Sequence, residues 1–128
     1  MRRLTSILGI AGIALFATAC SGATNAPQSV SVHDQVTVQV DNSMHFAVES
    51  LSVEAGQPVT LTLQNIGEST HDFTLTDGVA TPVKIEATAG QSSRGTFVIN
   101  APGTYEFVCS QPAHALLGMR GTIVVHTQ

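Results

Sequence analysis

From Val36 onward the chain alternates apolar and polar residues in short runs, and no stretch carries the 3.6-residue period of an amphipathic helix. VTVQV at 36–40 alternates strictly. The runs LSVEAG (51–56), PVTLTLQNIG (58–67), HDFTLTDG (71–78), PVKIEATAG (82–90), RGTFVINAPG (94–103), TYEFVC (104–109) and RGTIVVHTQ (120–128) follow it. Gly, Asn and Pro punctuate these runs at about the 8–12-residue spacing of a β-sandwich or small barrel. The expectation is therefore an all-β domain of about eight strands over residues 34–128, long enough for two packed sheets. Phe73, Phe97, Phe107 and Tyr105 are its expected large core residues.

The residues ahead of this domain have another character. Arg2 and Arg3 precede an apolar run from Ile7 to Phe16, and Ala17-Thr18-Ala19 leads into Cys20. That is the layout of an export signal over residues 1–19, with an apolar run shorter than the roughly 20 residues that span a bilayer. A cysteine directly after small residues resembles the lipobox of bacterial lipoproteins, although Ala17 stands where such boxes most often carry leucine. The resemblance implies lipidation of Cys20, an exported protein, and attachment to a membrane outside the cytoplasm, at the cell surface or in the periplasm. An ordinary secreted protein cut near Ala19, or between Ala23 and Ala26, is the alternative. Residues 20–33 are small, polar and proline-bearing, which reads as a flexible tether.

With lipid on Cys20, Cys109 is the one remaining thiol of an exported chain and has no disulfide partner. A Cys20–Cys109 disulfide is the competing account. Without residues 1–19, the cationic side chains are Lys84, Arg94 and Arg120 alone, against the full set of nine Asp and Glu. Such an acidic domain lacks the basic footprint that nucleic acid requires, and it offers no polybasic patch for anionic lipid.

The segment FVCSQPAHALLGMRG (107–121) answers why a lone thiol would persist. Cys109, His114 and Met119 follow one another with four residues in each gap. A cysteine and two histidines with a distant methionine form the donor set that suits copper electron transfer. The second histidine should come from another strand, and His71, which opens a strand after a turn, is the best candidate. His33, His45 and His126 read as ordinary surface or half-buried residues. Met44-His45 is a poor second metal site, since neighbours on a strand point to opposite faces.

The segments VEAGQPVTLTLQNIGESTHDFTL and GTYEFVCSQPAHALLGMRGTIVV resemble those of the cupredoxins, the type 1 blue-copper proteins related in pattern to plastocyanin, azurin, auracyanin and sulfocyanin. The resemblance spans roughly residues 34–128 and implies a Greek-key β-sandwich. It implies one copper ion, cycling between Cu(I) and Cu(II), on His71, Cys109, His114 and weakly on Met119, with the Thr70 carbonyl as a possible further contact. Asn65 is expected to close the turn ahead of His71, and Asp72 and Ser110 to tie the two ligand segments together. Asp72 stands where the family often has Asn, and Ala113 where it often has Gly. The implied activity is one-electron transfer between redox proteins, not enzymatic catalysis, with transient docking at the His114 edge. Pro112, Ala113, Ala115, Leu116 and Leu117 would form the apolar rim there, with one of the two leucines packing inward. A copper-binding module for storage, delivery or sensing is the alternative.

Overall fold

The structure, a computed structural model, describes residues 28–128. These residues form nine strands, and none of them is helical. The strands are β1 (Ser29–Ser31), β2 (Gln35–Val40), β3 (Ser50–Glu54), β4 (Pro58–Asn65), β5 (His71–Leu75), β6 (Val83–Ala87), β7 (Ser92–Val98), β8 (Gly103–Val108) and β9 (Arg120–His126). Alternation along each strand becomes alternation of burial. In β2, Val36, Val38 and Val40 are buried between exposed Gln35, Thr37 and Gln39.

Two sheets result. One has the order β1-β3-β9-β8-β5-β6, and the other β2-β4-β7. Strands β1, β3 and β9 run parallel to one another, as do β2 and β4, and the remaining pairs are antiparallel. The inward residues of both sheets form a single apolar cluster, in which Leu61, Leu63, Phe73, Leu75, Phe107 and Ile123 are completely buried. Phe73 meets Phe107 at 4.7 Å and Phe97 at 5.9 Å between ring centroids.

Four features differ from the sequence reading. Ser29–Ser31 pairs with Ser50–Ser52 of β3, so part of the segment expected to be tether forms a strand. The run is too short and too polar to announce a strand, and its partner's edge supplies the order. Residues 41–49 form a loop in which Met44 is left-handed (φ 60°), so strand alternation says nothing about Met44 and His45. The same loop delivers Phe46 to the core, edge-on to Phe107 with centroids 5.0 Å apart. Tyr105 is only half-buried, and its hydroxyl donates to the Ala101 carbonyl at 3.0 Å. Cys20 and the signal segment lie outside the described residues.

Candidate metal centre

His71 is placed by the turn between β4 and β5, and Asn65 builds that turn. The Asn65 carbonyl oxygen accepts from the Gly67 N–H at 2.9 Å, while its amide donates to the Ser69 carbonyl at 2.7 Å and the Ala87 carbonyl at 2.9 Å. Ala87 is the register partner of His71, so one side chain fixes both the turn and the strand pairing beside the imidazole. Gly67 completes the Asn-x-Gly pattern for a steric reason. A Cβ there would sit 2.8 Å from Asn42 Oδ1 and 2.9 Å from the Asp41 carbonyl carbon. Thr70, the last residue of the turn, is half-buried.

Cys109, His114 and Met119 belong to the connection from β8 to β9, which is bonded largely to itself. The Cys109 N–H donates to the Met119 carbonyl at 3.0 Å, and the Met119 N–H donates to the His114 carbonyl at 3.0 Å. Between them the chain makes tight turns, with the His114 N–H on the Gln111 carbonyl and the Leu117 N–H on the Ala113 carbonyl. Ala113 takes φ 65°, a left-handed conformation that costs an L-residue about 1–2 kcal/mol. Glycine would take this conformation without that cost. Arg120 clamps the loop from outside by donating to the Ala115 carbonyl at 2.9 Å and to Glu106 Oε1 at 2.8 Å. The sequence reading missed this clamp, because Arg120 carries only the signal of an exposed strand residue.

The two segments meet in the core. One ligand atom from each of His71, Cys109 and His114 lies within 4.8 Å of the others. Cys109 Sγ is 3.4 Å from His114 Nδ1 and accepts the Asp72 N–H at 3.4 Å. The two imidazoles have centroids 5.0 Å apart at 46°. Cys109 is a free thiol, and His71, Cys109 and Met119 are completely buried, whereas His114 is half-buried.

The donor chemistry fits a borderline or soft metal ion. Both ring nitrogens of His71 are buried and neither makes a well-formed hydrogen bond, although the Asp41 carbonyl faces the ring; at least one nitrogen is left for another group to engage. Burial, reinforced by the neighbouring His114, holds the His71 pKa below its ordinary value. The imidazole is therefore neutral near pH 7, the form that ligates metals. Burial pushes the Cys109 thiol up, against the N–H groups of Asp72 and Gln111 that favour its thiolate. A bound cation would displace that proton and engage the idle nitrogen of His71.

Asp72 and Ser110 do join the two segments. The Ser110 N–H donates to Asp72 Oδ1 at 2.7 Å and the Ser110 hydroxyl to Oδ2 at 2.9 Å. Burial raises the Asp72 pKa, but its donors from Ser110 and Thr74, with Lys84 nearby, outweigh burial and leave it below the ordinary carboxylate value. Around His114, Pro112 and Ala113 are exposed and Ala115 is half-buried. Neither leucine packs inward, contrary to expectation: Leu116 is 89% and Leu117 61% exposed. The tight turns point both side chains away from the sandwich. His45 comes from the irregular segment 41–49 and reaches this loop, with Cε1 3.5 Å from where a Gly118 Cβ would stand.

A family model described as a cupredoxin-like domain matches residues 9–125. The chain is 31% identical over 108 residues to auracyanin-B of Chloroflexus aurantiacus, an alignment covering 78% of this chain and 46% of that protein. It thus spans about half the length of this curated relative. Among solved structures, auracyanin B superposes with TM-score 0.64 at 26% identity, covering 80% of this chain and 92% of the other. Auracyanin A of Chloroflexus aurantiacus, described as a "blue" copper protein, gives TM-score 0.65 at 22% identity over 73% of this chain and 99% of the other.

Proposed function

The chain belongs to the cupredoxin-like family, and from that premise we propose that it is a one-electron carrier that would hold a single copper ion on His71, Cys109 and His114, with the Met119 thioether as a weaker donor. The observation that carries this reading is the convergence of a buried thiol and two imidazoles, with one ligand atom of each within 4.8 Å of the others. Copper so bound supplies exchange between its cuprous and cupric states at a thiolate-containing site. The protein's part is to keep the ligands still. His71 is held by its strand and turn, and the three loop ligands by a segment closed through Cys109 and Met119. The Asp72 N–H on the sulfur and the Thr70 carbonyl ahead of His71 complete the set of groups assigned to the metal's surroundings.

Electrons pass through His114, the ligand that is only half-buried. Pro112, Ala113, Ala115, Leu116 and Leu117 surround it as an apolar surface suited to brief, small-area docking of a redox protein. The protein works outside the cytoplasm, exported by residues 1–19 and anchored by lipid on Cys20. It acts as a carrier and not as an enzyme. Copper loading, followed by visible spectroscopy through one cycle of reduction and reoxidation, tests the reading. An intense thiolate-to-copper band that bleaches and returns with copper retained is expected, and Cys109→Ser should abolish it without unfolding the domain. Copper lost to a chelator upon reduction would favour storage or delivery instead.

A further inference from the structure

The Asp72 carboxylate sits in a cradle that only donates. Oδ1 accepts the Ser110 N–H at 2.7 Å and the Thr74 hydroxyl at 2.8 Å. Oδ2 accepts the Ser110 hydroxyl at 2.9 Å and the Gln111 amide at 3.1 Å, and Lys84 Nζ stands 3.6 Å away. Asparagine, the family's usual residue, would present one acceptor and one NH2 group. Turned toward Ser110 and Thr74, that NH2 would meet a backbone N–H, which cannot accept. Turned the other way, it could donate to the Ser110 hydroxyl but would also meet the Lys84 ammonium and the Gln111 amide. Gln111 cannot answer by flipping, because the same nitrogen also donates to Glu86 Oε2 at 3.1 Å. The Ser110 N–H, the Gln111 amide and the Lys84 ammonium, none of which can accept, thus favour the ionised carboxylate.

That charge is completely buried, one residue from His71, on the residue whose N–H bonds the cysteine sulfur. Its cationic neighbour is Lys84 on β6, which is half-exposed and shared with Glu86 at 3.3 Å. We infer that Asp72 is a positioning residue that also sets the redox bias of the site: its fixed carboxylate favours the more highly charged oxidised metal, and Lys84 limits how strongly that charge is felt. The inference rests on the copper reading above. Charges in a protein interior act through far less screening than in water, and groups just outside the ligands tune a metal's electronics.

Two variants of the copper-loaded protein test it by redox titration, with the thiolate band recorded to confirm intact ligands. Asp72→Asn removes the charge and should raise the midpoint potential. Lys84→Gln removes the countercharge at a half-exposed site that touches no ligand, and should lower it. Opposite signs separate charge from structural loosening, which would move both variants the same way. Unshifted potentials, or shifts of one sign, overturn the inference. Should Asp72→Asn fail to take up copper, Lys84→Gln decides alone: a lowered potential supports the inference and an unchanged or raised one overturns it. A wild-type protein with no copper–thiolate band would overturn the functional reading and this inference together, whereas a banded wild type with unshifted variants overturns the inference alone.

Discussion

Ala113 shows how a single residue can hold strain beside a ligand. Its left-handed backbone is an outlier that glycine would occupy freely, and its side chain is exposed. Ala113→Gly should therefore stabilise the metal-free protein by about 0.5–1 kcal/mol, the relief of strain being partly offset by the greater freedom of glycine in the unfolded chain. A denaturant midpoint that stays put or falls would show that the turn is not strained. Leu116, almost fully exposed, carries the docking argument at the same scale. Leu116→Glu should slow electron exchange with the physiological partner while leaving the visible spectrum unchanged; equal rates in stopped-flow would count against docking at this rim. The convergence of His71, Cys109 and His114 was legible in the sequence because soft donors are scarce and their spacing is tied to chemistry. Arg120 was not, since a clamp on a backbone carbonyl depends on where a turn points and leaves no pattern in residue types.

Among the elements, the turn from β4 to β5 depends most on one side chain. Asn65 is buried and satisfies the Gly67 N–H and the carbonyls of Ser69 and Ala87. Asn65→Ala strands these groups, and should destabilise the domain by about 3 kcal/mol, with weakened metal retention because His71 loses its support. Thermal unfolding with and without copper would check both parts; an unaffected protein would mean that water replaces the amide. Strands β2 to β9 could be read from alternation because one face of each is buried, though their ends could not be fixed closely. The loop 41–49 and β1 could not. Phe46 reaches the core from irregular backbone, and β1 owes its conformation to the edge of β3 more than to its own residues. Pairing between distant segments is invisible to any local pattern.

The whole molecule should respond to acid through Asp72. Its folded pKa lies below the ordinary carboxylate value that it regains on unfolding, so its ionised form contributes stability that is fully present above that ordinary value. This stability is lost as pH falls through the folded pKa. Metal-free wild type should lose denaturant resistance over that acid window, and Asp72→Asn should show a flatter acid limb from a lower starting stability; parallel limbs would mean that other carboxylates dominate. Strand β1 bears on the molecule as a whole in another way. Ser29 is in register with Ser50, and Ser50 with Thr122, two residues past Arg120, so the chain enters the sandwich at the end that carries the ligand loop. Nine residue steps separate Cys20 from Ser29, a reach of at most about 30 Å in any conformation. With lipid on Cys20, the leash would be short and would be fastened at the end that carries the Cys109–Met119 loop. So anchored, the protein could not swing that end far into the surrounding medium, and its working radius would be a shallow layer above the bilayer.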